Sequence, residues 1–339
     1  MLILSVVTPM YNEREAVDHF VARLRPVLDG LDVTYEVVAV DDGSRDATVA
    51  RLMELRDGWP ALRVVKLRRN VGHQPALAAG LRAAHGEYVV SIDADLQDPP
   101  EMIGEMLAKA RAEDLDVVYG VRDDRSADTA FKRGTAGAYY WLMRRLLGPW
   151  VSGQAGDFRL MSRAVVDTLN DLPEQQPVYR LVVPSLGFPA GEVGYTRAQR
   201  VAGTTKYPLT RMVKLSVDSV TGFSAAPLRV ATWLGLVTFL LCLGLMVSGM
   251  VAWASGVVVP GWTSLYIVML LLGAVQLICL GLLGEYVGRI YAATQRRPRF
   301  LVAFDTDTDT DTDTGTGDRT VLPVEPHENV RPSPASTLR

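Results

Sequence analysis

The chain has 339 residues, of which 48% are hydrophobic, 8% aromatic and 22% charged, with a net charge of −3. The near-neutral charge leaves no basic surface for nucleic acid, so no nucleic-acid partner is expected. Between Val230 and Gly284 there is no charged residue, whereas the rest has ordinary polarity up to about the last thirty residues. This split excludes a wholly soluble protein, a polytopic carrier and a disordered chain. Cys242 and Cys279 both lie in the apolar stretch, where they build neither a disulfide framework nor a zinc site.

The first 120 residues alternate short β-rich runs with runs of helical spacing. Strands are predicted at 2–8, 35–40, 62–67, 87–92 and 116–120, and helices at 15–28, 46–56, 72–85 and 100–112. Repeated β-then-α units with nearly continuous apolar strands predict a parallel sheet covered by helices on both faces. Ligands of such sheets bind beyond the carboxyl ends of the strands. Polar clusters follow those ends, at residues 9–13, 41–42, 93–95 and 122.

The middle of the chain gives a weaker pattern. Residues 130–147 and 162–169 are predicted as helices, and 157–160 as a short polar–apolar alternation. Residues 206–223 fit an amphipathic helix, which either lies in a membrane interface or packs as an ordinary helix.

Two apolar segments of about 20 residues each, at 231–253 and 264–283, are long enough to span a hydrocarbon core of ~30 Å. An uncharged, turn-rich link joins them into a predicted transmembrane hairpin. Basic residues flank both segments, so the positive-inside rule places the large domain and both termini in the cytosol. The N-terminus has neither the basic leader nor the apolar run of a signal peptide, which agrees with that placement.

These patterns divide the chain into five parts. In order they are a cytosolic α/β domain, an amphipathic interfacial segment, two transmembrane helices, a basic juxtamembrane segment and a low-complexity tail, at 1–205, 206–229, 230–285, 286–304 and 305–339. The tail begins with Asp-Thr repeated five times. Because its like charges repel and bury nothing, it is predicted to be disordered.

Asp93 and Asp95 follow the fourth predicted strand. Residues i and i+2 of a strand point to the same side, so the two carboxylates are expected to share the sheet edge. A divalent cation relieves their repulsion, and carboxylate oxygens suit Mg²⁺ or Mn²⁺. Gln97 can add an amide oxygen. An Asp-x-Asp motif alone is weak evidence, and its position after a buried strand strengthens it.

Asp42 closes the second strand, where an acid can bind a nucleotide hydroxyl or, equally, cap the following helix. Pro9, Tyr11 and Glu13 can supply a ring face and acceptors for a base and ribose. Neither a dinucleotide-binding glycine motif nor a phosphate-binding loop motif is present, which disfavours a dinucleotide enzyme and an ATPase.

Together these motifs resemble those of family 2 glycosyltransferases of the GT-A fold. The motifs are PMYNE, VDDGS, NVG, DADLQDPPE and GVR, starting at residues 9, 40, 70, 93 and 120. Further on, GDFRL at 156–160, RVAGTTKY at 200–207 and the hairpin resemble the polyprenyl-phosphate glycosyltransferases, which include dolichol-phosphate mannose synthases and bactoprenol glucosyltransferases. The resemblance covers about residues 3–300. It implies a Rossmann-like α/β domain with a mostly parallel sheet, plus the two-helix transmembrane hairpin.

The resemblance also implies site residues. A nucleotide sugar would contact Pro9, Tyr11, Glu13, Val40, Asp42, Asp93, Ala94 and Arg122. Asp95 and Gln97 would hold Mg²⁺ or Mn²⁺. Arg200 and Lys206 would contact phosphates, and either Lys132 or Arg133 could hold the acceptor phosphate. From its own chemistry, Asp157 is a candidate for orienting the acceptor or a basic residue. Asp95, Asp157, Arg200 and Lys206 are the predicted catalytic set.

The alternatives are an ion pair of Asp157 with Arg159 or another arginine, and a solvated or headgroup-binding basic stretch around Arg200 and Lys206. The family usually has Gly-Glu-Ser-Lys where this chain has Gly203-Thr204-Thr205-Lys206, so a role for that missing acid is in doubt.

The implied reaction moves one sugar, with inversion, from a nucleotide sugar to the phosphate of a polyprenyl phosphate. The second pKa of a phosphomonoester is near 6, so the acceptor is largely dianionic at pH 7 and needs no strong base. UDP-glucose is the preferred donor and GDP-mannose the second.

Two other functions are disfavoured. A processive polysaccharide synthase is disfavoured because Gln176 to Arg180 does not fit its Gln-x-x-Arg-Trp motif. A non-catalytic scaffold is disfavoured because the acidic motif is intact.

Two expectations concern partners. Glycines in the spans allow the close helix packing of a homo-oligomer, although glycine is common in membrane helices anyway. Two spans are too few to form a flipping pathway, so a separate flippase is expected to handle the product.

Overall fold

The computed structural model describes residues 2–122, 155–172, 177–196, 226–256, 261–295 and 297–307. Its strands are β1 (Leu4–Met10), β2 (Tyr35–Asp41), β3 (Leu62–Leu67), β4 (Tyr88–Ser91), β5 (Val117–Arg122), β6 (Ala155–Ser162), β7 (Ala190–Tyr195) and β8 (Val302–Asp305). Its helices are α1 (Arg14–Asp29), α2 (Thr48–Asp57), α3 (His73–Ala83), α4 (Met102–Ala112), α5 (Arg163–Asp171), α6 (Tyr179–Ser185), α7 (Ala226–Ala254) and α8 (Trp262–Thr294).

One sheet holds all the described strands, in the order β7-β5-β6-β4-β1-β2-β3-β8. Strands β1 to β4 are parallel to one another, and β5 is parallel to β7. The predicted parallel core is thus present. Strand β6 runs antiparallel to both β4 and β5, and β8 runs antiparallel to β3, so the complete sheet is mixed.

Helices cover both faces of the sheet, as predicted. Alternate strand residues belong to two separate buried clusters, with Leu4 and Val6 on one face and Val7 on the other. Helices α1 and α4 pack on the first face, and α3 and α5 pack on the second. Helix α3 lies very close to the sheet, because a Cβ at Gly80 would stand 2.9 Å from Val40 Cγ2. A side chain at this position would push α3 away from the sheet.

The predicted strands and helices of the first 120 residues agree with the structure to within about two residues at most ends. The alternation at 157–160 is the centre of β6, and the helix expected at 162–169 is α5. Segments 130–147 and 206–223 lie outside the described residues.

Strand β8 changes two of the predicted boundaries. Residues 286–304 are not one juxtamembrane segment, since the first part continues α8 and the last part joins the sheet beside β3. The expected disordered tail does not start at 305 either. Asp305 forms a two-pronged ion pair with Arg63, with N–O distances of 2.7 and 2.6 Å, and Thr306 is buried. The rest of the tail lies outside the described residues.

Helices α7 and α8 contain the two apolar spans. By length and composition, Val230–Ala252 and Val268–Thr294 could each cross a membrane, and neither is buried within the protein. The second span continues well beyond the predicted end at 283. Beyond that residue, α8 contains an ion pair between Glu285 and Arg289, one helical turn apart. The carboxylate oxygen lies 3.0 Å from the guanidinium nitrogen.

Candidate active site

The Asp93–Asp95 motif lies in the loop that follows β4, at the carboxyl edge of the parallel strands. Exposure alternates along this loop: Asp93, Asp95 and Gln97 are partly exposed, and Ala94 and Leu96 are buried. The expectation that the two carboxylates share the open side is therefore consistent with the structure. The loop is turned rather than extended, with Leu96 at a φ of 57°. The Gln97 backbone N–H donates to Asp95 Oδ1 at 3.1 Å, which closes the turn.

His73, the first residue of α3, connects Asp93 to Asp157 of β6. Its Nε2 is 3.7 Å from Asp93 Oδ1 and 3.6 Å from Asp157 Oδ2. Loss of hydration lowers the pKa of His73, but the two carboxylates outweigh it and the net pKa is raised. Loss of hydration also raises the pKa of Asp93 to about 6, against the His73 charge and with help from the charges of Asp157, Asp98 and Asp95. The first carboxylate of the motif thus takes up a proton far more readily than an exposed aspartate.

Asp157 is held from several sides. Its Oδ1 lies 3.0 Å from Arg159, a guanidinium that is almost fully buried, and its Oδ2 lies 3.3 Å from Arg180 of α6. Burial raises the pKa of Asp157, and the hydrogen bond to His73 and the two guanidinium charges reverse this, so the net pKa is well below the usual range. The Ser91 hydroxyl donates to the Asp157 backbone carbonyl at 2.5 Å. Asp157 is therefore a fixed carboxylate. The ion pair with Arg159 or another arginine, which is the alternative to orienting the acceptor, is present with both Arg159 and Arg180.

Gln74 ties α3 to the same cluster. Its side-chain amide donates to Asp157 Oδ2 at 3.5 Å, and its carbonyl oxygen accepts from the Tyr179 backbone N–H at 3.1 Å. Tyr179 begins α6, so one glutamine holds both the carboxylate and the start of the helix that carries Arg180.

Arg122, at the end of β5, belongs to a second polar group beside the motif. Its Nε donates to the Tyr195 hydroxyl at 3.2 Å, and its Nη2 is 3.6 Å from Asp98 Oδ1. The Tyr195 hydroxyl donates to the buried Asp98 carboxylate. Loss of hydration and the Asp98 carboxylate raise the pKa of Tyr195. This group leaves the Arg122 side chain 37% exposed at the site edge.

The loops after β1 and β2 are joined by hydrogen bonds. The Arg45 N–H donates to Asn12 Oδ1 and the Asn12 N–H to Ser44 Oγ, both at 2.9 Å. Asp42 accepts from the backbone N–H groups of Val71 and Gly72, at 2.7 and 2.9 Å, and is 3% exposed. In the described residues Asp42 thus supports the loop that leads to His73.

The remaining predicted nucleotide contacts of these loops differ in exposure. Tyr11 is 40% exposed, and Pro9 and Glu13 are partly exposed. The Val40 side chain is fully buried in the core beneath α3, so a contact of Val40 with a nucleotide would involve its backbone.

Four predicted residues, Lys132, Arg133, Arg200 and Lys206, lie outside the described residues. Conversely, the sequence patterns did not point to His73, Gln74 or Arg180. His73 directly follows the Asn-Val-Gly motif that ends the β3 loop, which is the one available signal. Gln74 and Arg180 reach the site only because α3 packs on β1 and β2 and α6 packs on β6, which no local pattern reports.

The donor groups around Asp95 fit a hard divalent cation. Carboxylate and amide oxygens of Asp95 and Gln97 lie in one turn and are partly exposed. Within the part of the chain that the structure describes, no group of three or more His, Cys, Asp or Glu residues could hold a metal by itself. One carboxylate with an amide oxygen matches the manner in which Mg²⁺ is bound when substrate phosphates and water complete its shell.

Comparison with known proteins identifies two family models along the chain. The Glycosyl transferase family 2 model matches residues 5–169, and the GtrB C-terminal hairpin model matches residues 226–290. The uncharacterized glycosyltransferase YkcC of Bacillus subtilis is 40% identical over 301 residues, covering 88% of this chain and 92% of the relative. The bactoprenol glucosyl transferase of Shigella phage SfV is 38% identical over 303 residues, covering 88% and 97%.

Some solved structures also match part of this chain. A complex of S. aureus TarS with UDP-GlcNAc has a TM-score of 0.45 and 17% identity, covering 65% of this chain and 66% of that chain. Glucosyl-3-phosphoglycerate synthase from Mycobacterium tuberculosis, in complex with Mn²⁺, UDP and phosphoglyceric acid, has a TM-score of 0.45 and 24% identity, covering 65% and 76%.

The long alignments at about 40% identity, the family 2 match over the sheet and the hairpin match over α7 and α8 agree with one another. The two apolar helices and the hairpin model together indicate membrane anchoring. The chain is a glycosyltransferase of family 2 that carries a GtrB-type C-terminal hairpin.

Proposed function

We propose that the protein is a membrane-anchored, inverting transferase that moves one glucose from UDP-glucose to the phosphate of a polyprenyl phosphate. The observation that carries this proposal is the similarity to bactoprenol glucosyl transferases over 88% of the chain, including the hairpin. A lipid-linked acceptor explains why a catalytic sheet and two apolar helices occur in one chain.

The donor is proposed to lie across the carboxyl ends of β1, β2 and β4. Tyr11 and Glu13 line the nucleotide end, and Asp93, Ala94 and Arg122 lie toward the sugar and diphosphate. Asp42 contributes by holding the loop of Val71 and Gly72 rather than by an open carboxylate.

Asp95 and Gln97 are the residues that would hold Mg²⁺ or Mn²⁺ in this proposal. When bound, such a cation supplies Lewis-acid stabilisation of the departing nucleoside diphosphate. The fixed charges of the chain contribute by positioning the two anionic substrates relative to each other.

Attack comes from an oxygen of the acceptor phosphate on the anomeric carbon. The bond between that carbon and the donor diphosphate breaks, the diphosphate leaves with the bonding electron pair, and the configuration inverts. The largely dianionic acceptor loses no proton in this step, so a general base is not needed. Asp157 suits a positioning role, since its ion pairs keep it charged and fixed.

Residues beyond the described segments complete the proposal. Arg200 and Lys206 are proposed to contact phosphates where the lipid headgroup arrives, and Lys132 or Arg133 to hold the acceptor phosphate. The catalytic domain and both termini are proposed to face the cytosol, where nucleotide sugars are made.

The test is transfer by the purified full-length protein in lipid nanodiscs, with radiolabelled UDP-glucose, a polyprenyl phosphate and Mg²⁺ or Mn²⁺. Acid-labile label that extracts into chloroform is expected. Label in insoluble polymer would instead indicate a polysaccharide synthase. Label from GDP-mannose but not from UDP-glucose would change the donor, and no transfer from any of a panel of nucleotide sugars would refute the proposal.

A further inference from the structure

Arg180 brings a second guanidinium to a carboxylate that already has one. Arg159 binds Asp157 Oδ1 at 3.0 Å, and Arg180 lies 3.3 Å from Oδ2. Arg159 is fixed by further hydrogen bonds to the carbonyls of Tyr179 and Gly156, at 2.8 and 2.9 Å. The ion pair with Arg159 therefore neutralises Asp157 without help from Arg180.

The two arginines differ in exposure. The Arg159 side chain is 1% exposed, whereas that of Arg180 is 45% exposed. Arg159 therefore makes contacts only inside the protein, and Arg180 is the one of these two arginines that a ligand can reach. The charge of Arg180 acts against that of Arg159, because like charges repel. An anion bound beside Arg180 would relieve this repulsion.

Arg180 lies close to the Asp93–Asp95 motif. The Asp157 oxygen that it contacts lies 3.6 Å from His73 Nε2, which in turn is 3.7 Å from Asp93 Oδ1. The guanidinium is therefore separated from the Asp93–Asp95 motif by one carboxylate and one imidazole. A planar guanidinium with several donors matches phosphate oxygens, and charge-assisted hydrogen bonds of this type are among the strong ones.

The location of Arg180 is fixed rather than incidental. Gln74 donates to Asp157 Oδ2 and accepts from the Tyr179 N–H, so it holds both the carboxylate and the residue that precedes Arg180. Such support is what a preorganised ligand contact needs.

We propose that Arg180 binds a substrate phosphate in the active site, with Gln74 and Asp157 as the positioning residues that hold its guanidinium. The inference rests on the proposed function, since it assigns a residue to the phosphates of that reaction. Two sources share this chemistry, the diphosphate of the donor and the monophosphate of the lipid acceptor.

The experiment compares full-length wild type with Arg180→Ala, Arg180→Lys and the control Arg82→Ala, in nanodiscs. Arg82 is an exposed arginine near the far end of α3 and loses the same charge. Initial rates give KM for the polyprenyl phosphate, KM for UDP-glucose and kcat. In parallel, thermal shifts with UDP, with polyprenyl phosphate and with the uncharged polyprenol measure binding without turnover.

Arg180→Ala is expected to raise one KM about tenfold or more, with weaker binding of the same ligand, and Arg180→Lys to recover part of it. A higher KM for polyprenyl phosphate, with polyprenol binding unchanged, assigns the acceptor phosphate. A higher KM for UDP-glucose, with weaker UDP binding, assigns the donor diphosphate.

If Arg180→Ala lowers kcat or the melting temperature while both KM values and both ligand shifts match Arg82→Ala, the role is only structural and the inference is overturned. If wild type transfers no sugar, the proposed function fails, and the ligand shifts alone still decide on Arg180. Unchanged shifts with both ligands would then overturn it.

Discussion

Asp95 is the residue through which the proposed cation binds, and its replacement gives the first prediction. Asp95→Ala removes the carboxylate together with its hydrogen bond from the Gln97 N–H, so the melting temperature is measured beside the rate to show that the protein is folded. Because stabilisation of the leaving diphosphate depends on this contact, kcat should fall by about a hundredfold or more. The measurement is the initial transfer rate at saturating substrates over a Mn²⁺ titration.

Glu113→Ala is the matched control, since Glu113 is an exposed acid at the C-terminal end of α4, the end away from the site edge. It should retain the wild-type rate and the wild-type metal dependence. Undiminished transfer by Asp95→Ala in the same titration would remove Asp95 from the proposed metal site.

Asp93 gives a prediction on pH and stability. Its pKa of about 6 in the folded chain exceeds the ordinary value of 3.8, so ionising it costs folding free energy. That cost is absent below about pH 4, grows between pH 4 and 6, and is fully present above pH 6. Asp93→Asn in EDTA should therefore raise the free energy of unfolding at pH 8 and leave it nearly unchanged at pH 4.

The size of this gain is limited by solvent screening. A shift of about two pKa units corresponds to at most about 3 kcal/mol, and the 43% exposure of the side chain reduces this to about 1 kcal/mol. Chemical unfolding of the wild type and of Asp93→Asn at the two pH values measures it. An equal gain at pH 4 and pH 8 would show that the effect is not electrostatic.

For single residues, the sequence predicts the acidic site residues better than the side chains that contact them. Asp93, Asp95 and Gln97 could be found because a motif follows a buried strand directly. His73, Gln74 and Arg180 are separated from Asp157 by many residues along the chain. They meet it only because α3 packs on β1 and β2 while α6 packs on β6. The second arginine on that carboxylate, Arg180, is a tertiary feature that a linear pattern does not contain.

Among the elements, the alternating strands and helices of the first 120 residues were predictable because each buries a regular apolar pattern. Strand β7 was missed because it contains two glycines and a glutamate and exposes alternate residues at the sheet edge. Strand β8 was missed because four residues carry little periodicity and because basic residues precede them. Its place in the sheet depends on an ion pair with a strand more than two hundred residues earlier.

That ion pair gives the next prediction. Arg63 and Asp305 are 11% and 13% exposed and make two short N–O contacts, so each loses a strong partner when the other is removed. In a double-mutant cycle with Arg63→Ala and Asp305→Ala, the coupling free energy should be about 1–3 kcal/mol. Chemical unfolding of the full-length protein measures it.

The control cycle uses Lys109 and Glu113, an exposed pair one turn apart on α4 with 3.8 Å between the charged atoms. Its coupling should be about 0.5 kcal/mol or less. If the two cycles give equal coupling, Arg63 and Asp305 do not hold β8 on the sheet.

For the whole molecule, β8 links the membrane helices to the catalytic edge. Val302 pairs with Leu67 and Asp305 with Val65, so the chain that leaves α8 enters the sheet at the carboxyl end of β3. Seven residues separate Thr294 from Val302, and the eight steps between these two residues span at most about 28 Å. The edge that carries Asp93 must therefore lie near the end of the second span, where a lipid phosphate would be.

This geometry predicts which edge of the sheet faces the bilayer. Single cysteines at Arg45, beyond the end of β2, and at Glu87, before the start of β4, mark the carboxyl and amino edges of the sheet. A seven-residue strand such as β2 separates these two edges by about 20 Å. With Cys242 and Cys279 replaced by alanine, a fluorophore on Arg45→Cys should be quenched more strongly by quencher-labelled lipid headgroups in nanodiscs than one on Glu87→Cys. Both labelled proteins must retain the wild-type melting temperature, so that the comparison reports on the folded chain. Equal quenching, or stronger quenching at Glu87→Cys, would mean that the catalytic edge does not face the membrane and that a lipid phosphate would have to reach it by another route.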